Sequence, residues 1–138
     1  MKKRAITTEG VPAIGPYSSA VEAGPFVFVS GQIPLVAATG QLVDGDIRAA
    51  TEQAMKNLET VLASAGLTME HVVKTTIYLA DMADFPAVNE VYGRYFQADF
   101  PARATVQVAA LPRGAKIEID AIAFKMPFSR GPMGPASE

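Results

Sequence analysis

The chain contains no cysteine, no tryptophan and a single histidine. Without thiols there are no disulfide staples, thiolate nucleophiles or cysteine metal sites, and the composition is compatible with a reducing compartment. His71 has no histidine or cysteine partner at ligand spacing, so no metal site is expected. Long apolar runs are missing too: none approaches the roughly 18 residues of a membrane span, and no apolar core follows the basic start Met1-Lys2-Lys3-Arg4. A soluble, cytoplasmic chain with no membrane partner is expected. Positive charge is scarce, with 12 Lys and Arg against 14 Asp and Glu and a net charge of -2. That leaves no stripe to track phosphates, so nucleic acid is not an expected partner. The glycines form neither a dinucleotide fingerprint nor a phosphate loop, and no cofactor is expected.

What is present suffices for one domain. At 138 residues and 49% hydrophobic content, the chain can bury about two-thirds of its unfolded surface. An edge strand is expected over residues 3–8, then a loop through Gly15-Pro16-Tyr17 that proline and glycine keep off a regular ladder. Strands at 18–23 and 26–30 flank Gly24-Pro25. The second, Phe26-Val27-Phe28-Val29-Ser30, lacks polar alternation and is expected to be buried on both faces. Residues 46–65 place Ile47, Ala50, Ala54, Leu58, Val61, Leu62 and Ala65 at helical spacing, stopping at Gly66. A strand over 72–79 follows, then a second helix with Asp84 as cap, Pro86 in its first turn, and Val88, Val91, Tyr92, Tyr95 and Phe96 as its buried stripe. Residues 1–124 read as the domain and 125–138, rich in Pro and Gly, as an irregular tail.

The most informative stretch is 101–123. Two alternating runs flank Leu111-Pro112-Arg113-Gly114, predicting an antiparallel hairpin with a four- to six-residue connection. Alternation assigns Ala104, Val106 and Val108 to a core face and Arg103, Thr105 and Gln107 to a polar one. In the second run Ile117, Ile119, Ala121 and Ala123 oppose Glu118 and Asp120. Symmetric pairing would set Gln107 opposite Glu118 and Arg103 opposite Ile122, so that cation and carboxylate share one surface. The order β-β-β-α-β-α-β-β implies an α+β fold, a single layer of about six strands with two helices on one face. The other face then needs a partner, and self-association would supply it.

Pro101-Ala102-Arg103, the Leu-Pro-Arg-Gly turn and Ile117-Glu118-Ile119 resemble the signature of the RidA (YjgF-like) imine deaminases. Gly15-Pro16-Tyr17-Ser18, Ser30-Gly31-Gln32-Ile33-Pro34 and Thr51-Glu52-Gln53-Ala54-Met55-Lys56-Asn57-Leu58 resemble further blocks of that family, in its order and spacing. The resemblance covers about residues 5–124. It implies a chorismate-mutase-like fold, a homotrimer with sites between subunits, and hydrolysis of 2-imino or enamine acids such as 2-iminobutanoate and 2-iminopropanoate to 2-oxo acids and ammonia, with no cofactor. By that similarity Arg103 would bind the substrate carboxylate with help from backbone amides near Gly31 and Thr105. Glu118 would orient the attacking water, and Tyr17, Ser30 and Asn89 would line the cleft. Thr105 stands where some members carry cysteine. The competing readings are a pathway-specific deaminase of aminoacrylate or aminomuconate type, and a non-catalytic ligand-binding or ribonuclease-like translation inhibitor.

The residues themselves fit imine chemistry. A guanidinium can grip a planar carboxylate through two parallel charge-assisted hydrogen bonds. The adjacent imine carbon is already electrophilic, so placing water beside it is most of the task, and a carboxylate at Glu118 could accept the proton of that water. The residue types do not fix the ionisation of Glu118, because burial raises a carboxyl pKa and a nearby guanidinium lowers it.

Overall fold

The computed structural model describes residues 2–11, 13, 15–97 and 99–125. Its main sheet contains β1 (Arg4–Ile6), β2 (Ala20–Ala23), β3 (Phe26–Gln32), β6 (Val72–Leu79), β7 (Ala102–Gln107) and β8 (Ile117–Phe124), in the spatial order β1-β2-β3-β8-β6-β7. A separate two-stranded ribbon, β4 (Leu35–Val36) with β5 (Gln41–Leu42), lies between β3 and the first helix, where the sequence reads as loop. Helices α1 (Ile47–Ser64) and α2 (Phe85–Gly93) pack together over one face. The six-stranded α+β layer with two helices on one side is as expected. The tail expectation falls on residues 126–138, outside the described residues. Lys125 still follows the sheet, its N–H donating to Pro25 O at 2.6 Å.

Helix α1 forms where its capping and periodicity agree. The Asp46 carboxylate accepts from the Ala49 N–H at 3.0 Å, and the helix closes at Ala65 before Gly66, whose φ of +75° suits glycine. Its buried stripe, including Ala54, Met55, Leu58, Val61 and Leu62, meets Val27, Ile77, Leu79, Ile117 and Ile119 from the sheet and Val88 from α2. Leu58 is wholly buried at the centre of this layer. Leu58→Ala is therefore expected to cost about 3 kcal/mol, from lost transfer energy plus a residual cavity, read as a lowered midpoint in denaturant unfolding.

The second helix departs from expectation at both ends. Asp84 makes no side-chain capping bond; Asp81 does, accepting from Ala83 N–H at 2.9 Å ahead of a short 3-10 turn that runs into α2. Tyr95 and Phe96 lie beyond the helix end and pack against the core from there.

The predicted hairpin at 101–123 does not form. β7 runs parallel to β6, with Arg103 across from Thr75 and Thr105 across from Ile77, whereas β8 runs antiparallel on the other edge of β6, with Glu118 across from Tyr78. The connection between them passes over the end of β6, where Val108 N–H donates to Leu79 O and Ala80 N–H to Lys116 O. The reason is burial. β8 carries four small or branched apolar residues that α1 covers, so it belongs in the centre, while β7, with Arg103 and Gln107, can only be an edge. Gln107 therefore does not face Glu118, nor Arg103 Ile122.

The faces of β7 are inverted as well. Thr75 and Ile77 point beneath the helices, so Arg103 and Thr105 share that side, whereas Ala104 and Val106 turn to the open face, Val106 being 41% exposed. Arg103 and Glu118 consequently lie on opposite faces of the sheet and do not share a surface. The strand over 26–30 is not covered on both sides within the chain either. Val27 and Val29 are buried, but Phe26 and Phe28 stand 39% and 44% exposed on the open face. Among the described residues no helix is long and apolar enough to cross a membrane.

Candidate active site

The end of β3 makes the first cluster. The ladder with β8 slips between Val29 and Gln32, and this irregularity sets Ser30 and Gly31 beside Glu118. A Cβ on Gly31 would overlap Glu118 Oε2 and sit 2.6 Å from its Cδ. Only glycine lets the carboxylate lie against this backbone. Glu118 is half-buried, and burial foremost, then the negative charge of Asp120, raises its carboxyl above the usual range. Within one chain burial therefore outweighs any guanidinium, for the Arg103 charge is not among the causes. Asp120 is engaged by the Tyr78 hydroxyl, which donates to its Oδ2 at 3.0 Å.

A cavity of about 380 Å³ opens in front of this carboxylate. Tyr17, Ser30, Gly31 and Glu118 line it, with Val11, Leu35 and Pro112 among its apolar walls. Tyr17 is 49% exposed. Ser30 is committed to the scaffold: its Oγ donates to Ser18 O at 2.6 Å. Asn57, buried on α1, donates to Ile33 O at 3.1 Å and Leu35 O at 2.9 Å, holding the wall in place. Sequence reasoning gave Asn57 no role. Its signal was an amide beside the apolar stripe of α1, where a buried donor demands acceptors.

The second cluster lies on the helix side at the edge of the sheet. Arg103 Nη1 donates to Asn89 Oδ1 at 2.8 Å, and its Cζ lies 5.3 Å from the Phe85 ring centroid and 5.1 Å from that of Tyr92. Among the described residues no carboxylate lies within ion-pair distance of Arg103. Thr105 Oγ1, on the same face, is shielded from solvent and has no hydrogen-bond partner among the described residues. The predicted residues thus separate into Tyr17, Ser30, Gly31 and Glu118 on one side, and Arg103, Asn89 and Thr105 on the other. Phe85 and Tyr92 join Arg103 here, although helical periodicity assigns Tyr92 only to the buried stripe. His71 is half-buried and serves as a local cap, its Nδ1 accepting from Thr68 N–H at 3.1 Å. Among the described residues no three His, Asp or Glu side chains are grouped to hold a metal ion.

A cavity with a half-buried carboxylate thus lies on one side, and a guanidinium bonded to a neutral amide lies at the sheet edge on the other. The sequence profile of the Endoribonuclease L-PSP family matches residues 7–125, and the chain belongs to that family, the YjgF/RidA proteins. It is 51% identical to the 2-iminobutanoate/2-iminopropanoate deaminase of Mus musculus, over 93% of this chain and 95% of that protein. It is 59% identical to protein DfrA of Myxococcus xanthus, over 89% and 96% respectively. Among solved structures, Escherichia coli TdcF with bound serine superposes with a TM-score of 0.85 at 39% identity, covering 89% of this chain and 99% of that one.

Proposed function

We propose that this protein hydrolyses small 2-imino and enamine acids, 2-iminobutanoate and 2-iminopropanoate among them, to 2-oxo acids and ammonia, at sites between the subunits of a homotrimer. The observation that carries the reading is the placement of Arg103. It is an exposed guanidinium with a neutral amide as its hydrogen-bond partner, set on the opposite face of the sheet from Glu118. One chain cannot bring anchor and base together. A second copy docking through the exposed Phe26, Phe28 and Val106 surface would let one subunit's Arg103 approach its neighbour's Glu118.

In that arrangement Arg103 grips the substrate carboxylate, with its remaining N–H donors unused by Asn89. The main-chain amides near Gly31 and Thr105 contribute further donors, and Tyr17, Ser30 and Asn89 shape the cleft. Water adds to the imine carbon while Glu118 takes its proton. Glu118 returns that proton to the nitrogen, giving the carbinolamine, whose hydroxyl proton then passes through Glu118 to the amine as ammonia leaves and the carbonyl forms. The names carried by relatives at about half identity agree with this chemistry.

The decisive test supplies 2-iminobutanoate continuously from a threonine dehydratase and follows its decay, with the mass in solution measured alongside. Decay well above the spontaneous rate and a mass of three 14.6 kDa chains are expected. Decay at the spontaneous rate would refute the reaction, and a fully active monomer would refute the shared site.

The acid side of the pH profile gives a second check. Glu118 must be ionised to accept a proton, so kcat/KM should fall as pH drops through its pKa, which burial within the chain raises and a neighbour's Arg103 would lower. Asp120 contributes the smaller, like-charge part of that shift. Asp120→Asn is expected to move the acid limb to lower pH; an unmoved limb would assign it to another group.

A further inference from the structure

We propose that Tyr92 is the positioning residue for Arg103: its buried ring is a fixed platform for the guanidinium, locked from behind by Thr75. That Arg103 meets a substrate rests on the function proposed above; the clamp itself rests on geometry alone.

An arginine on an exposed edge strand has large rotamer freedom, and a two-point grip on a carboxylate requires its plane to be fixed beforehand. Three groups confine it. Asn89 Oδ1 accepts from Nη1, and the rings of Phe85 and Tyr92 both lie within cation–π range of Cζ. Tyr92 differs from Phe85 in being held. It is 4% exposed, and its hydroxyl lies 2.7 Å from Thr75 Oγ1, which is wholly buried. Thr75 is the residue directly across from Arg103 in the β6–β7 register. One strand position therefore fixes the ring, and its neighbour carries the cation that the ring supports.

The surrounding charges keep this cation available. Glu90, next to Asn89, is drawn away by Arg48 at 2.8 Å and Arg94 at 3.4 Å. Burial foremost raises the Tyr92 phenol above its usual range, so it stays neutral and sets no anion in competition with a substrate. Any buried tyrosine hydroxyl needs a partner; what core filling alone does not call for is a guanidinium placed over the ring of Tyr92.

The test compares wild type with Tyr92→Leu, Tyr92→Phe and Thr75→Val. Two quantities are read: NMR relaxation of the Arg103 Nε–H group, and kcat and KM for 2-iminobutanoate. In Tyr92→Leu the Nε–H group is expected to become mobile and kcat/KM to fall about tenfold, mostly through KM. Tyr92→Phe keeps the face but, like Thr75→Val, breaks the hydroxyl bond to residue 75, so it should loosen Nε–H less than Tyr92→Leu does and keep kcat/KM within about threefold of wild type. Thr75→Val keeps the volume but releases the ring, and should loosen Nε–H without removing the fold, which covers the case of a Leu variant that does not fold. An Nε–H group as mobile in wild type as in the variants would overturn the clamp even if deamination stands. Equal losses in Tyr92→Leu and Tyr92→Phe with unchanged Nε–H relaxation would overturn it in favour of plain packing. Should wild type leave imines untouched, the relaxation arm still decides the clamp by itself.

Discussion

Arg103→Ala is expected to lower kcat/KM for 2-iminobutanoate by about a thousandfold, which corresponds to about 4 kcal/mol of transition-state binding. The magnitude follows from how little else could replace this side chain. Arg48 and Arg94 are both paired with Glu90, and Arg4 with Glu22. The cost to the fold should be small. Arg103 is exposed on an edge strand, and removing it leaves no buried charge, only an Asn89 amide that can turn to water. Elution volume and thermal midpoint should therefore stay near wild type while turnover collapses. Arg103→Lys should recover little, because an ammonium is a point charge and cannot reproduce the two-point grip of a planar guanidinium. Near-normal activity in the alanine variant would remove the anchor from the mechanism.

The parts of the fold that local chemistry specifies could be read from the sequence. α1 was legible because a 3.6-residue stripe and a terminal glycine both fall where one helix requires them. Strand alternation in β8 was equally legible, with Ile117, Ile119, Ala121 and Ala123 buried as a set. The pairing partners were not. Period two says that Arg103 and Val106 face opposite ways, but not which way the core lies; that is settled by α2 and β6, which reach β7 only in three dimensions. The Leu-Pro-Arg-Gly segment looks like a hairpin turn and is instead part of a crossing over the end of β6. Candidate site residues were legible by type and motif, yet their division between two faces, with Phe85 and Tyr92 beside Arg103, depended on that same topology.

Glu118 is where the topology concentrates its second demand, and Gly31→Ala probes it without touching a charged group. The added methyl would sit within 2.6 Å of Glu118 Cδ and 2.9 Å of its Cγ, so the side chain must swing away. The swing should be cheap for the fold, because the obstructed atoms are the far end of a flexible side chain, and the expected loss of stability is about 1 kcal/mol. For the reaction it should be severe. A base displaced by an ångström or more loses its aligned water, and kcat is expected to fall about a hundredfold. Glu118→Gln should lose a similar factor by removing the base itself. Because both changes disable one group, the Gly31→Ala/Glu118→Gln double variant should be scarcely worse than either alone, whereas independent defects would multiply. Multiplicative losses, or a Gly31→Ala protein with normal kcat, would show that the close approach of this backbone to the carboxylate does not set the base.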